Sequence, residues 1–138
     1  MQSLIIKQVD AFTNQPFSGN PAGVISDADG LSPEDMLRIA NEMNLAETAF
    51  ITMPGSPDSM FRIRFFTPTE EVDLSGHVTI ASCFSLIEDG RIPLSGSVTT
   101  VNFETKAGTI PVEIHTAKDD SGLAAGDYIR IIAAGGGA

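Results

Sequence analysis

Residues 60–67 (MFRIRFFT) alternate cleanly. Phe61, Ile63 and Phe65 point one way and Arg62 and Arg64 the other, the period of a strand with one buried face. Residues 3–12 (SLIIKQVDAF) and 47–53 (ETAFITM) read as strands as well. Residues 98–105 and 109–116 form two more around Lys106-Ala107-Gly108, a hairpin signal with a glycine in the turn, and Ile110, Val112 and Ile114 share one face. Residues 127–132 (DYIRII) offer one further strand.

Two stretches change to the helical period. In the first, Ser32 is a good N-cap, Pro33 suits the first helical position, and Glu34 and Asp35 complement the positive end. Met36, Leu37, Ala40 and Met43 form its apolar stripe. The second, residues 77–88 (HVTIASCFSLIE), is apolar or small nearly all round, with no charge before Glu88 and Gly90 to stop it. A helix of that kind is buried on most sides. The segments between read as turns or loops: 13–21, rich in Pro, Gly and Asn, then 54–59, 69–74 and 117–126, with a short apolar stretch at 22–25. Strands outnumber helices and one helix needs cover on every side. The expected architecture is therefore α+β: a curved sheet wrapped around a central buried helix, plus one outer helix. No repeat and no second domain is visible over residues 1–132, and 133–138 (AAGGGA) read as a flexible tail.

Composition narrows the function classes. The 138 residues are 42% apolar and 19% charged, as in a globular domain. Eighteen acids against eight bases give a formal charge of −10. There is no basic excess to neutralise phosphates or to hold an anionic bilayer, so neither nucleic acid nor membrane is expected as a partner. No apolar run approaches the ~20 residues of a spanning helix, and the start lacks the pattern of a signal peptide, so a cytoplasmic location is expected. One cysteine excludes an internal disulfide, and two histidines with one cysteine make a structural zinc improbable.

Two places can carry chemistry. Glu47 opens a strand on the same face as Ala49 and Ile51, and a carboxylate partly removed from water there suits general-base work. The plainer alternative, a strand-end carboxylate that reaches water, stands beside it. Ser75-Gly76-His77 leads into the buried helix, whose N-terminal amides form a natural seat for a substrate carboxylate. There Gly76 admits a ligand close to the backbone and His77 can donate or pass a proton. Equally, Ser75 can be a simple cap and His77 a first-turn residue near solvent. The remaining candidates read as structural: His115 as an exposed strand residue, Cys83 as core, Glu70, Glu71 and Asp73 as a solvated acidic loop rather than a metal site, and Arg62 and Arg64 as a solvated strand face.

A set of short motifs then joins these residues: Val9-Asp10-Ala11-Phe12, Phe17-Ser18-Gly19-Asn20-Pro21-Ala22, Asn44-Leu45-Ala46-Glu47-Thr48-Ala49-Phe50, Arg64-Phe65-Phe66-Thr67-Pro68, Glu71 to Ala81, and Lys106-Ala107-Gly108. In this order the sequence resembles the N-terminal half of the phenazine-biosynthesis PhzF-like family, relatives of diaminopimelate epimerase and proline racemase. The resemblance implies a lobe of diaminopimelate-epimerase-like fold over residues 1–132, in which a mixed, barrel-like sheet wraps the central helix. It also implies a cofactor-free isomerase or epimerase that moves a proton on a small carboxylated substrate. Glu47 would be the catalytic acid/base, with Ser75, Gly76 and His77 at the helix start and Asn20 in the Gly-Asn turn binding substrate. Racemase and epimerase relatives carry a catalytic cysteine immediately before this glycine. Here Ser75 stands there, which disfavours a two-thiol mechanism and leaves a one-carboxylate shuttle. Family members have two lobes with the site between them, so a partner is expected: a second copy of this chain or a separate second-lobe chain. The competing expectations are a non-catalytic module that binds a small acid or a protein, and a truncated product without function.

Overall fold

A computed structural model describes residues 4–11, 20–116 and 128–132, with side chains for all of these but 9–11 and 20. Among them, eight strands and two helices follow one another along the chain. They are β1 (Lys7–Ala11), β2 (Asn20–Ile25), α1 (Pro33–Met43), β3 (Glu47–Thr52), β4 (Phe61–Phe66), β5 (Glu71–Val72), α2 (Gly76–Glu88), β6 (Val98–Thr105), β7 (Gly108–His115) and β8 (Tyr128–Ile131). The strands form one sheet in the order β1-β2-β3-β4-β6-β7-β8, with β5 beside β4. The β2–β3 and β4–β6 pairs are parallel and the others antiparallel. Along β4, Phe61 and Arg62 pair with β6, whereas Phe65 and Phe66 pair with β5. The sheet therefore splits at β4.

The helix α2 packs against β1, β2, β3 and β8, strands from both ends of that order. Only a sheet curled around the helix can present both ends to it, so the expected wrapped α+β lobe is what forms. Its interior joins Val78, Ala81, Cys83 and Leu86 of α2 to Ala49 and Ile51, to Phe61, Ile63 and Phe65, and to Val101, Phe103, Val112 and Ile114. Full burial of the valine, leucine, isoleucine and phenylalanine side chains among these is worth roughly 1.5–3 kcal/mol each. On the outer face, α1 lays Met36 and Ala40 over Ile25, Phe50 and Phe66, with the two phenylalanine rings edge to face at 5.4 Å.

Several sequence expectations shift. The strand expected over 3–12 covers 7–11, and that over 127–132 covers 128–131. Asn20 and Pro21, read as turn, open β2, and the apolar stretch 22–25 is the rest of that strand. The loop expected over 69–74 contains β5. Two residues cannot display a period of two, so no alternation marks it. Met43, placed on the apolar stripe, is the last residue of α1 and is 39% exposed. Phe66 breaks the alternation of β4: it is buried on the outer face under α1. The expected tail 133–138 and the loop 117–126 lie outside the described residues.

Candidate functional site

Three side chains from two elements converge where β3 and α2 begin. Glu47 is the first residue of β3, and its neighbours on the same face, Ala49 and Ile51, are fully buried. That placement leaves the carboxylate half-buried, its side chain 19% exposed. The Ser75 hydroxyl donates to Glu47 Oε1 at 3.1 Å and lies 3.4 Å from His77 Nδ1. His77 Nδ1 is 3.9 Å from the same carboxylate oxygen.

Ser75 sits at the N-cap of α2 with extended backbone, yet its side chain accepts no hydrogen bond from a first-turn backbone amide. Its carbonyl accepts from the Thr79 amide at 3.0 Å and the Thr79 hydroxyl at 2.8 Å. The hydroxyl is turned to Glu47 rather than to the first-turn amides. The first-turn amides of a helix have no intrahelical acceptor, and α2 has no acidic residue in that turn to answer its positive end. Gly76 is exposed, and among the described residues a Cβ built there would meet Ile131 Cδ1, at 3.8 Å. An anion can reach the backbone from that side.

The chain arrives at Ser75 through β5. Glu71 pairs opposite Phe66, and its carboxylate takes two hydrogen bonds from the Arg64 guanidinium, both 2.8 Å. Lys106 Nζ adds a second cation 3.6 Å from Glu71 Oε1. Hydrogen bonding from Arg64 holds the Glu71 carboxyl below its usual range. These residues correct two expectations. Glu70 and Asp73 are exposed, but Glu71 is not part of a solvated acidic loop: its side chain is 14% exposed. Nor is Arg64 a solvated strand residue, although Arg62 on the same face stays partly exposed, 3.8 Å from Glu104. The signal was present as opposite charges on either side of Thr67-Pro68, where a turn brings facing residues together.

The other candidates fall as follows. Asn20 opens β2, two residues before Ala22, which pairs with Glu47, but its side chain lies outside the described residues. Cys83 is core, as expected, and burial pushes its thiol up to about 12. His115 is half-buried rather than exposed. It bonds Glu113 at 2.9 Å and stacks on Tyr128 with centroids 4.4 Å apart, so its partners belong to the sheet rather than to the cluster. Among the described residues no group of three or more His, Cys, Asp or Glu is placed to hold a metal ion, and no helix is long and apolar enough to cross a membrane.

Residues 9–125 match the family of phenazine biosynthesis-like proteins, PhzC-PhzF. The chain belongs to that family. An isomerase of Clostridium acetobutylicum, itself uncharacterized, is 44% identical over 115 residues, which is 82% of this chain and 36% of the relative. A crystal structure of a PhzF-family phenazine biosynthesis protein from Bacillus anthracis superposes with a TM-score of 0.74 at 40% identity, covering 87% of this chain and 38% of that one. A hydroxyproline epimerase from Agrobacterium vitis shares the fold, with a TM-score of 0.66 at 14% identity over 85% of this chain. This PhzC-PhzF member thus spans little more than a third of the curated relative and of the solved PhzF chain.

Proposed function

We propose that this family member supplies the acid/base part of a cofactor-independent isomerase or epimerase acting on a small carboxylated substrate, and that a second lobe or subunit completes the site. The observation that carries this reading is the Glu47 carboxylate, half-buried at the start of β3 and hydrogen-bonded by Ser75 beside the open N-terminus of α2. Glu47 takes a proton from a substrate carbon and becomes a neutral carboxylic acid. The electron pair of that C–H bond moves into the adjacent conjugated system. Glu47 then returns the proton, either to another carbon of that system or to the opposite face of the same one, so the overall change is an isomerisation. The first-turn amides at Gly76 and Val78 hold the substrate carboxylate and offset the charge that develops during transfer. His77 lies within reach to donate to the substrate, and Asn20 belongs to the binding set in this reading. The partner is a second copy of this chain or a separate second-lobe chain, and the protein works in the cytoplasm.

The test uses the protein in the assembly in which it purifies. Small carboxylates with an activated C–H are incubated in heavy water, and proton NMR follows loss of the C–H signal. Exchange catalysed by the parent should fall by about 10²–10⁴ in Glu47→Gln, which removes the base and keeps the shape. Exchange that persists at the parent rate in that variant rules Glu47 out as the base.

A further inference from the structure

We propose that Arg64 and Glu71 are positioning residues for the Glu47–Ser75–His77 cluster. The proposal rests on the acid/base reading only for what that cluster does; the placement itself is a matter of geometry. Strand β5 has two residues and, among the described residues, one neighbour, β4. An antiparallel ladder of that length supplies very few backbone bonds, too few to fix a segment between two turns. The charged fork supplies what the ladder lacks. Arg64 Nε and one terminal nitrogen each bond a separate oxygen of Glu71 at 2.8 Å, and a planar bidentate pair sets direction as well as distance. Both side chains are largely removed from water, which limits competition from solvent and salt.

The pair acts on the site through a short connection. Only Asp73 and Leu74, both exposed, separate β5 from Ser75. On the other side, β4 is the direct neighbour of β3, with Phe66 opposite Thr48, one residue after Glu47. The fork therefore ties the segment that carries Ser75 to the strand that flanks Glu47. It closes the loop Glu47–β3–β4–β5–Ser75 whose ends meet in the 3.1 Å hydrogen bond. The turn between β4 and β5 is held as well, by the Thr67 amide on the Glu70 carbonyl at 2.8 Å. That turn fixes where the chain reverses, whereas the fork fixes how β5 lies against β4. Lys106 is more exposed and farther from Glu71, so its part is smaller.

The test reads the cluster without turnover. In the full 138-residue chain, carbon-13 resonances of the Glu47 carboxyl and of Ser75 Cβ report the hydrogen bond at one fixed pH. Amide exchange at Val72 and Ser75 reports the segment, and thermal unfolding reports the fold. Arg64→Gln and Glu71→Gln should shift both resonances and speed exchange at Val72 and Ser75 by about tenfold or more. Arg64→Lys, which keeps the charge and loses the fork, should give an intermediate shift, and Lys106→Gln almost none. Unchanged Glu47 and Ser75 resonances in the two Gln variants overturn the proposal, whether or not the melting temperature falls. Loss of folded signals in every Arg64 and Glu71 variant, Arg64→Lys included, also overturns it, because the pair is then an element of the fold as a whole. Neither failure touches the assignment of Glu47 as base, which the heavy-water exchange experiment decides separately.

Discussion

Ser32 and Ser75 hold the same position in two helices, each the last residue before the first helical turn, each with extended backbone. The Ser32 hydroxyl accepts from the Asp35 amide at 3.1 Å, and the Asp35 carboxylate accepts from the Ser32 amide at 3.2 Å. That reciprocal box satisfies two orphan donors of α1, and Glu34 and Asp35 answer its positive end. Three residues after Ser75 stands Val78, which can close no box. The carboxylate that Ser75 meets comes from β3 instead. The difference lies in which acid is within reach: a local one closes a capping box, whereas a distant one turns the Ser75 hydroxyl away from the first-turn amides and toward the candidate site. An uncapped start is tolerated in α2 because the helix is held by its packing, with Val78, Ala81, Cys83 and Leu86 buried in the sheet.

That account can be broken first at the packing. Leu86→Ala should cost about 2–5 kcal/mol in urea unfolding, as for other fully enclosed leucines. Ser32→Ala should cost about 1 kcal/mol, the loss of one cap, without effect on any activity of the Glu47 cluster. If uncapping α1 costs more than hollowing the core beside α2, packing is not what holds the second helix. Acid sharpens the same contrast. The folded Glu71 carboxyl is held below its usual range by Arg64, so its value is lower folded than unfolded. The stability it contributes is present above the ordinary carboxylate range and is lost as pH falls through the folded value. Glu71→Gln should therefore lie below the parent at neutral pH by up to about 1 kcal/mol and converge with it on acidification. A gap that stays constant with pH removes the ion pair as its cause.

Much of the lobe is legible without coordinates, and the gaps have physical reasons. The alternation of Phe61, Ile63 and Phe65 marks β4, and the uncharged run to Leu86 marks a helix that needs cover, from which the wrapped sheet follows. The strand β2 escapes because Asn20-Pro21 opens it like a turn and its pairing with β3 is parallel, across the whole of α1. The strand β5 escapes because it is held by a side-chain fork and not by a pattern. In the candidate site, Glu47 and Ser75-Gly76-His77 each carry a local signal, but Glu47 and Ser75 stand 28 residues apart and only the fold brings them together. The role of the Ser75 hydroxyl was open for the same reason. A serine before a helix looks identical whether it caps or not.

Ser75→Ala is the smallest expected change and the one that separates the two serines most directly. No backbone amide in the first turn of α2 loses a bond to Ser75, since its side chain accepts none there, and only the 3.4 Å contact with the His77 ring is lost from that turn. The backbone carbonyl keeps both bonds from Thr79. The Glu47 oxygen loses one donor, but its side chain retains contact with water. Unfolding free energy should thus change by no more than about 0.5 kcal/mol. The effect belongs instead to the site, where the Glu47 carboxyl and His77 ring resonances should move while those of α1 stay. A loss near the roughly 1 kcal/mol expected for Ser32→Ala would mean that Ser75 caps α2 after all. The two helix starts would then differ in sequence only, and the open seat at Gly76 would lose its physical basis.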